Sequence, residues 1–313
     1  MLNIVFLDEY SVNDADLSKI KKLGNYTGFD FTPPEQVISR AGNADILIVN
    51  KVKISADIIS KLPRLKLICE AATGIDNIDA QAAKNAGIPV KNAKGYSTHS
   101  VAEATLGGAI ALLRQSVYYD NFVKSAHYSN SDRLFNYDRP TRQLFGKNWG
   151  IVGLGTIGHT VAHLAETFGC SVAYHSVSGV ARPEKYPLMT LDNLLEWADI
   201  ISLHTPLNNL SRGLIGQQQF DRMKPSALLI NVSRGGVVDE HALACALNNK
   251  TIAGACVDVF AQEPTSANNP LLHLNDPFSL LASPHNAWSA RESIDNLVNS
   301  IADNISDFIN SQQ

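Results

Sequence analysis

The protein has 313 residues, a length that predicts two domains at roughly 100–200 residues per domain. Its 26 basic and 30 acidic residues give a net charge of -4, which excludes a strongly basic surface and argues against nucleic acid as the main partner. Charged residues make up only 18% of the chain and hydrophobic residues 45%, so the composition predicts a globular protein rather than a disordered one.

The N-terminal sequence MLNIVFLDEY lacks a basic region and turns acidic at Asp8, so it predicts a first strand rather than a signal peptide. No apolar run approaches the roughly 18 residues that span a bilayer, and we expect a cytoplasmic protein without a membrane partner. The cysteines match neither a disulfide framework nor a zinc site, and no histidine spacing suggests a metal. We therefore predict reduced core thiols at Cys69, Cys170, Cys245 and Cys256.

Short, β-branched apolar runs alternate with helical patterns along the whole chain. Near-continuous hydrophobic runs are typical of strands that helices cover on both faces, so the sequence predicts an α/β fold with doubly wound parallel sheets. The predicted strands are 3–7, 45–49, 66–70, 149–152, 171–174, 199–203, 227–232, 252–258 and 279–282.

Two segments separate an N-terminal α/β unit from a second one. Apolar residues recur at helical spacing over 97–126. The following segment, 127–147, is polar but carries Tyr128, Phe135, Tyr137 and Phe145. Exposed aromatic side chains are typical of interfaces, so this segment predicts either a homodimer contact or a surface loop that packs on its own domain. A final helix over 288–311 lies outside the strand order of the second unit, and we expect it to fold back on the first.

A glycine-rich turn follows the strand WGIV and opens the helical stretch TVAHLAETFG. The turn GLGTIG fits the dinucleotide pattern, with Gly153 for the tight turn, Gly155 for close approach of a pyrophosphate, and Gly158 for helix packing. Free N–H groups and the helix dipole favour an anion at this helix N-terminus. The sequence therefore predicts dinucleotide binding.

The dinucleotide pattern is incomplete in one place. A ribose-binding acid is expected about 20 residues after the turn, but the sequence there is AYHSVSG, and the expected position falls near Ser176. No carboxylate repels a 2′-phosphate, and no arginine stands beside it, since the nearest is Arg182. Ser176 and Ser178 suit either cofactor. We expect NAD with relaxed discrimination, and NADP as an open alternative.

Three further motifs follow predicted strands and deliver charged residues to their carboxyl ends, where ligands of such sheets bind. These motifs are NVSRGG with Arg234, DVFAQEP with Glu263, and SPHNAW with His285. An arginine holds a carboxylate in two-pronged geometry, a histidine shuttles a proton near neutral pH, and a glutamate fixes that histidine and stabilises its protonated form. Beside a dinucleotide, these groups predict hydride transfer between a 2-hydroxy acid and a 2-oxo acid.

With these motifs, the chain resembles the D-isomer-specific 2-hydroxyacid dehydrogenase family over essentially its whole length. The matching stretches are AATGIDNID, STHSVAE, WGIVGLGTIG, ISLHTPL, LLINVSRGGVVDE, GACVDVFAQEP and SPHNAW. Within the family, NKVKIS, KGYST and HNAW look most like the glycerate dehydrogenase (hydroxypyruvate reductase) branch. The resemblance implies a discontinuous, flavodoxin-like substrate domain over 1–97 and 288–313, a Rossmann cofactor domain over 98–287, and an active site in the cleft between them.

The resemblance also implies residue roles. It assigns Arg234, Glu263 and His285 as catalytic, with Arg234 also binding substrate. The further cofactor contacts that the resemblance implies are Thr73, Thr156, Ile157, Thr205, Val232, Ser233 and Asp258. Asp258 would lie near the nicotinamide amide; the alternative is that it only caps the end of its strand. The implied substrate contacts are the backbone of Gly74 and Ile75, together with Lys51 and Trp288. The alternatives are that Lys51 is a solvated lysine and that Trp288 is a core residue.

Two other functions remain open at this point. Some dehydrogenase-like proteins are cofactor-sensing corepressors, although this chain lacks the basic or disordered extensions that recruit partners. Formate dehydrogenases share the same fold, but in that family a glutamine supports the histidine, so Glu263 argues against this alternative. The side-chain preference for one 2-oxo acid over another rests on a few contacts worth about 1–3 kcal/mol each, which the sequence does not reveal.

Overall fold

The computed structural model describes residues 1–180 and 183–312 of the chain. The chain divides into two units, one made of residues from Met1 to Ser97 with the segment from Ser289 onward, the other running from Thr98 to Trp288. The predicted division differs from this one only in placing Trp288 with the C-terminal segment.

The first unit is built on a five-stranded parallel sheet of order β2-β1-β3-β4-β5. This order is the flavodoxin-like one, in which the strand order reverses between β1 and β3. The strands are β1 (Asn3–Phe6), β2 (Asn25–Gly28), β3 (Ile46–Val49), β4 (Leu67–Glu70) and β5 (Val90–Asn92). The short helices between them are α1 (Ser18–Lys21), α2 (Val37–Ala41), α3 (Ala56–Ser60) and α4 (Ala80–Asn85).

The second unit contains a six-stranded parallel sheet of order β11-β10-β9-β8-β6-β7. A single parallel bridge between Tyr174 and Leu188 extends the β7 edge of this Rossmann-type sheet. Its strands are β6 (Asn148–Val152), β7 (Ser171–His175), β8 (Ile200–Leu203), β9 (Leu228–Asn231), β10 (Gly254–Val257) and β11 (Leu280–Ala282). Its helices are α5 (Thr98–Leu113), α6 (Ser116–Lys124), α7 (Thr156–Thr167), α8 (Leu191–Trp197), α9 (Gln217–Phe220) and α10 (Glu240–Asn248).

The nine predicted strands are all present, and they confirm the α/β prediction. Every residue of β3, β4, β8, β9 and β10 is buried, as expected for strands that helices cover on both faces. Strands β2 and β5 were not predicted. Both lie at an edge of the first sheet and are mostly polar and partly exposed, so they lack the apolar run that marks a buried strand.

Three expectations need correction. The helical stretch predicted over 97–126 is two helices, because Gln115 takes a left-handed conformation with φ of 53° between α5 and α6. Of the four free cysteines, Cys245 is exposed, whereas the other three are core thiols as predicted. The final helix, α11 (Arg291–Asn310), begins after the predicted residue 288.

Helix α11 belongs to the first unit, as expected. It presents Ile294, Leu297, Ile301 and Ile305 to the interior and packs against α1 and β4. At its polar border, Lys19 Nζ lies 2.6 Å from Asn299 Oδ1, and the Asn304 amide donates to the Asn92 carbonyl at 3.2 Å. Among the described residues, no helix combines the length and apolarity needed to cross a membrane.

Segment 127–147, all of which the structure describes, consists of turns and bends. Arg139 anchors it to its own unit, since its guanidinium lies 2.7 Å from the Asp276 carboxylate and 4.5 Å from the Tyr118 ring centroid. The segment nevertheless leaves apolar side chains exposed, namely Tyr128, Leu134, Phe135, Tyr137 and Phe145. The segment is therefore a surface loop anchored on its own domain, and the alternative of a homodimer contact stays a prediction.

Candidate active site

The glycine-rich turn joins β6 to α7 at the carboxyl edge of the second sheet. Gly153 has a φ of +96°, and an added Cβ there would stand 2.8 Å from the His204 carbonyl oxygen. A Cβ on Gly158 would collide with the Gly153 carbonyl, so only glycine lets the helix start so close to the strand. No atom lies within 4 Å of a Cβ built on Gly155, which leaves open space before the first turn of α7.

A cavity of about 280 Å³ lies beside this turn, at the carboxyl ends of β6, β7 and β8. Three predicted cofactor positions besides Gly153 line it: Gly155, Ser176 and Thr205. Helix α7 begins at Thr156 and runs to Thr167, long enough to give its N-terminus the dipole that favours an anion. The open space at Gly155, the helix N-terminus and the adjoining cavity fit the pyrophosphate and adenosine of a dinucleotide, so these residues are suited to hold NAD.

His204 lies in the cavity wall and was not predicted. Its ring is buried next to the glycine turn, and burial lowers the pKa of His204 to about 3, so the ring is neutral. Within the described residues, its Nε2 atom has no hydrogen-bond partner. The available sequence signal is its position directly after the buried strand β8, which is where the other site residues also lie relative to their strands.

Glu263 and His285 meet beyond the ends of β10 and β11. His285 Nδ1 lies 2.7 Å from Glu263 Oε2, and because an ionised carboxylate only accepts, the imidazole nitrogen is the donor. The other carboxylate oxygen of Glu263 accepts the Phe260 N–H at 3.0 Å. Both oxygens are thus used to fix the pair, and Nε2 of His285 is left on the opposite side of the ring.

Asp258 holds the backbone that carries His285. One of its carboxylate oxygens accepts the Ser283 hydroxyl at 2.6 Å and the Asn286 N–H at 2.9 Å, and the other accepts the Ala287 N–H at 3.0 Å. The His285 N–H donates to the Asp258 carbonyl at 2.7 Å. His285 has a φ of 55°, a left-handed conformation that costs energy for a non-glycine residue. The hydrogen bonds of Asp258 therefore stabilise a strained backbone at the residue that carries the imidazole.

Arg234 is placed by the loop that follows β9. The Asn231 side chain donates to the Arg234 carbonyl at 3.1 Å and accepts from the backbone and hydroxyl of Ser233, at 3.1 and 2.9 Å. Gly235 packs directly against the Phe260 backbone, where a Cβ would collide. This contact joins the loop of Arg234 to the loop of Glu263, because no side chain separates them. The carboxyl ends of β9, β10 and β11 therefore deliver all three predicted catalytic residues to one edge of the sheet.

The other predicted cofactor positions of this unit also lie at this edge. Thr156 opens α7, and Ile157 and Val232 are partly buried against the core beneath the turn. Trp288 is partly buried at the C-terminal end of the second unit.

Within the first unit, Asp8 organises the loop after β3. Its buried carboxylate accepts the N–H groups of Asn50, Lys51 and Val52, with the shortest contact, 2.6 Å, to Lys51. Burial raises the pKa of Asp8, and the three N–H donors oppose that rise. Asp8 lies two residues after the end of β1, so a charged residue shortly after a buried strand was the sequence signal for it.

Glu70 is a second buried acid of this unit, and it ends β4 with no exposed surface. The Asn77 amide donates to Glu70 Oε2 at 3.0 Å, whereas Oε1 has no partner among the described residues. Burial raises the pKa of Glu70 to about 9, so the carboxyl is protonated at neutral pH. Asn77 also donates to the Val52 carbonyl at 3.1 Å, which links the loops after β3 and β4.

The predicted segment Thr73–Gly74–Ile75 begins three residues after Glu70, the last residue of β4. Thr73 is fixed on both sides, because its hydroxyl donates to the Ala93 carbonyl at 3.0 Å and its carbonyl accepts from the Asn92 amide at 2.5 Å. Gly74 and Ile75 are partly exposed. Lys51 lies in the loop that Asp8 holds. The four predicted residues of this unit thus lie in two braced loops at the carboxyl edge of its sheet.

Comparison with known proteins identifies the family. Residues 106–287 match the model of the NAD-binding domain of D-isomer-specific 2-hydroxyacid dehydrogenases. The chain is 38% identical over 310 residues to the glycerate dehydrogenase of Methylorubrum extorquens, covering 98% of this chain and 96% of that protein. It is 33% identical over 316 residues to the hydroxypyruvate reductase of Blautia hydrogenotrophica, covering 98% and 97%.

Solved structures agree over almost the whole chain. The D-lactate dehydrogenase of Aquifex aeolicus, complexed with NAD and lactic acid, superposes with a TM-score of 0.85 at 26% identity and covers 99% of this chain and 96% of its own. An acyclic imino acid reductase in complex with NADPH and D-arginine superposes with a TM-score of 0.88 at 27% identity, covering 99% and 98%. This chain therefore belongs to the D-isomer-specific 2-hydroxyacid dehydrogenase family and is an oxidoreductase that transfers a hydride between a nicotinamide cofactor and a small 2-hydroxy or 2-oxo acid.

Proposed function

We propose that the physiological reaction is the reduction of hydroxypyruvate, or a 2-oxo acid of similar size, to the D-2-hydroxy acid. The observation that carries this proposal is the His285–Glu263 pair, 2.7 Å apart at the edge of the sheet that also holds the glycine-rich turn. The relatives named for glycerate and hydroxypyruvate support the choice of substrate.

His285 is the proton donor in this scheme. Glu263 occupies Nδ1, so Nε2 is the nitrogen that donates a proton to the carbonyl oxygen of the 2-oxo acid and removes it in the reverse direction. When bound, the nicotinamide supplies the hydride that adds to C2. Asp258 holds the loop of His285, and we assign it a positioning role beside the contact with the nicotinamide amide that the resemblance implies.

Arg234 is the proposed partner of the substrate carboxylate. A guanidinium presents paired N–H donors in a plane, which matches a carboxylate and stays charged at all relevant pH values. In the first unit, the resemblance implies that the backbone N–H groups of Gly74 and Ile75 also donate to the substrate carboxylate. It further implies that Thr73 contacts the cofactor and that Lys51 contacts the substrate. Trp288 is the proposed wall of the pocket. Thr156, Ile157, Thr205, Val232 and Ser233 complete the proposed cofactor contacts.

We also propose that the protein is a homodimer. Segment 127–147 exposes a row of apolar and aromatic side chains, with Tyr137 at 84% and Phe135 at 64% exposure, although its backbone is anchored by Arg139. Aromatic side chains are enriched in the buried centres of interfaces. Light scattering of the protein and of a Phe135→Ser, Tyr137→Ser variant tests this, and a wild-type monomer contradicts it. A cytoplasmic location stays a prediction from the sequence.

The central experiment is a matrix of 2-oxo acids against NADH and NADPH, followed by loss of the dihydronicotinamide absorbance. We expect hydroxypyruvate and glyoxylate to be turned over faster than bulky 2-oxo acids.

His285→Ala is expected to lower kcat by about 10²–10⁴-fold while the cofactor still binds. His241→Ala, at an exposed position of α10, is the matched control. Unchanged turnover in His285→Ala contradicts the proposed mechanism, and cofactor-dependent partner binding without turnover favours the corepressor-like alternative.

A further inference from the structure

Glu240 binds both ends of the loop segment that carries Glu263. Its Oε1 atom accepts the Ala261 N–H at 2.7 Å, and its Oε2 atom accepts the side-chain amide of Asn269 at 2.8 Å. Glu263 lies between these two points of attachment. Residues 261–264 are all exposed, so burial does not fix this part of the loop. The place of the Glu263 carboxylate therefore depends on the hydrogen bonds at the two ends of the segment.

Helix α10 gives Glu240 a fixed position. Glu240 is the first residue of the helix, and Asp239 caps it by accepting the His241 N–H at 2.9 Å and the Ala242 N–H at 3.0 Å. Because Asp239 satisfies the N–H groups of the first turn, the Glu240 carboxylate is not needed as a cap. Leu243 is fully buried and anchors the helix in the core of the second unit. Glu240 is thus held by a helix that is itself well fixed.

Asn269 fixes the far end of the segment. Its side chain is buried, and its amide group also donates to the Thr265 hydroxyl at 2.9 Å. Its side-chain oxygen accepts the N–H of Leu271 at 3.0 Å, and Leu271 is buried in the same core as α10. The bond from Asn269 to Glu240 therefore joins the loop to a rigid part of the unit.

The near end of the segment leads directly to the proposed proton donor. Two consecutive N–H groups are bound by two different acids: Phe260 donates to Glu263 Oε1 at 3.0 Å, and Ala261 donates to Glu240 Oε1. The other oxygen of Glu263 lies 2.7 Å from His285 Nδ1. A displacement of Ala261 therefore moves the Phe260 N–H, and with it the carboxylate that orients the imidazole.

We propose that Glu240 is a positioning residue for the reaction and acts through Glu263 rather than on the substrate. The proposal rests on the proposed roles of Glu263 and His285, and it extends them to a residue that the sequence analysis did not single out. Hydrogen bonds to an ionised carboxylate are about twice as strong as neutral ones, so the two bonds of Glu240 are suited to hold an exposed loop. A misplacement of about 1 Å at a reacting group can cost 10²-fold in rate.

The first test compares kcat, the NADH dissociation constant and the pH profile of reduction in the wild type and Glu240→Ala. We expect kcat to fall at least about tenfold while the dissociation constant changes less than about twofold. The basic limb of the kcat profile should move to lower pH, because a displaced Glu263 stabilises the protonated imidazole of His285 less. Glu292→Ala is the matched control, since Glu292 is also an acid in the first turn of a helix and is exposed. It should behave as the wild type.

A rescue experiment tests the pair of Glu240 and Asn269. Glu240→Gln keeps an acceptor for the Ala261 N–H but places an amide group against the amide group of Asn269. Adding Asn269→Asp reverses the polarity of the pair, so that glutamine donates and aspartate accepts. We expect the double variant to return to within about threefold of the wild-type kcat. A folded double variant, by circular dichroism, that is no more active than Glu240→Ala overturns the proposal.

The last test shows whether Glu240 acts through Glu263. In a Glu263→Ala background, adding Glu240→Ala should lower kcat by less than about twofold, whereas independent effects would multiply and overturn the proposal. A Glu240→Ala variant that melts at lower temperature but keeps the wild-type kcat and pH profile also overturns it, because Glu240 then only stabilises the fold. Unchanged kcat in Glu263→Ala alone contradicts the proposed function instead, so the two failures are distinguishable.

Discussion

The substitution Glu70→Gln should change how the stability of the protein depends on pH. Glu70 is fully buried at the end of β4, and its pKa rises from an ordinary 4.5 to about 9 in the fold. Below pH 4.5 the carboxyl is protonated in both the folded and the unfolded chain and has no effect. Between pH 4.5 and about pH 9 the unfolded chain releases the proton and the folded chain keeps it. The free energy of unfolding therefore falls as pH rises through this range.

The size of the effect follows from the same two values. Each pH unit between them costs about 1.4 kcal/mol, so Glu70 lowers the free energy of unfolding by up to about 4 kcal/mol from pH 4.5 to pH 7.5. Glutamine has the same shape and its side-chain oxygen still accepts from Asn77, but it has no proton to lose. We therefore expect Glu70→Gln to be the more stable protein at pH 7.5, with a flatter pH dependence.

Denaturant unfolding of both proteins from pH 5 to pH 8.5 measures this difference. Glu35→Gln, at an exposed position of the same unit, is the control for exchanging a carboxyl for an amide. An infrared band of a protonated carboxyl at pH 7, absent from Glu70→Gln, would report the same proton directly. Equal pH slopes for wild type and Glu70→Gln would refute the reasoning, because they would mean that Glu70 is ionised inside the fold.

Three further substitutions test the site. Gly158→Ala should weaken NADH binding at least about tenfold, because its methyl group meets the Gly153 carbonyl, whereas Gly107→Ala on α5 meets no atom within 4 Å and should bind NADH normally. Asp258→Asn should lower kcat by about 10–100-fold while the NADH dissociation constant changes little, since it loosens the loop of His285; the reverse pattern would place its role at the cofactor. Asp8→Asn should lower the free energy of unfolding by about 2–3 kcal/mol, because the N–H donors after β3 lose a charged acceptor; unchanged denaturation curves would contradict this.

Much of the fold was readable from the sequence. Buried parallel strands are apolar along their whole length, so β3, β4 and β8–β10 stand out as uninterrupted runs. The glycine-rich turn was equally legible, because its glycines are imposed by local backbone geometry and by the approach of a helix to a strand. The buried strands depend on uniform burial and the glycine-rich turn on near neighbours in the chain, so the order of residues in the sequence reveals both.

Only the tertiary structure decided how the remaining groups combine. The 2.7 Å contact of Glu263 with His285, and the three bonds from Asp258 to the loop after β11, join residues far apart in the chain, so no local pattern specifies them. The edge strands β2 and β5 escaped prediction because pairing with a neighbour, rather than their own polar sequence, makes them strands. The protonation of Glu70 likewise has no signature in the sequence, since it depends on how much water the fold removes from that carboxyl.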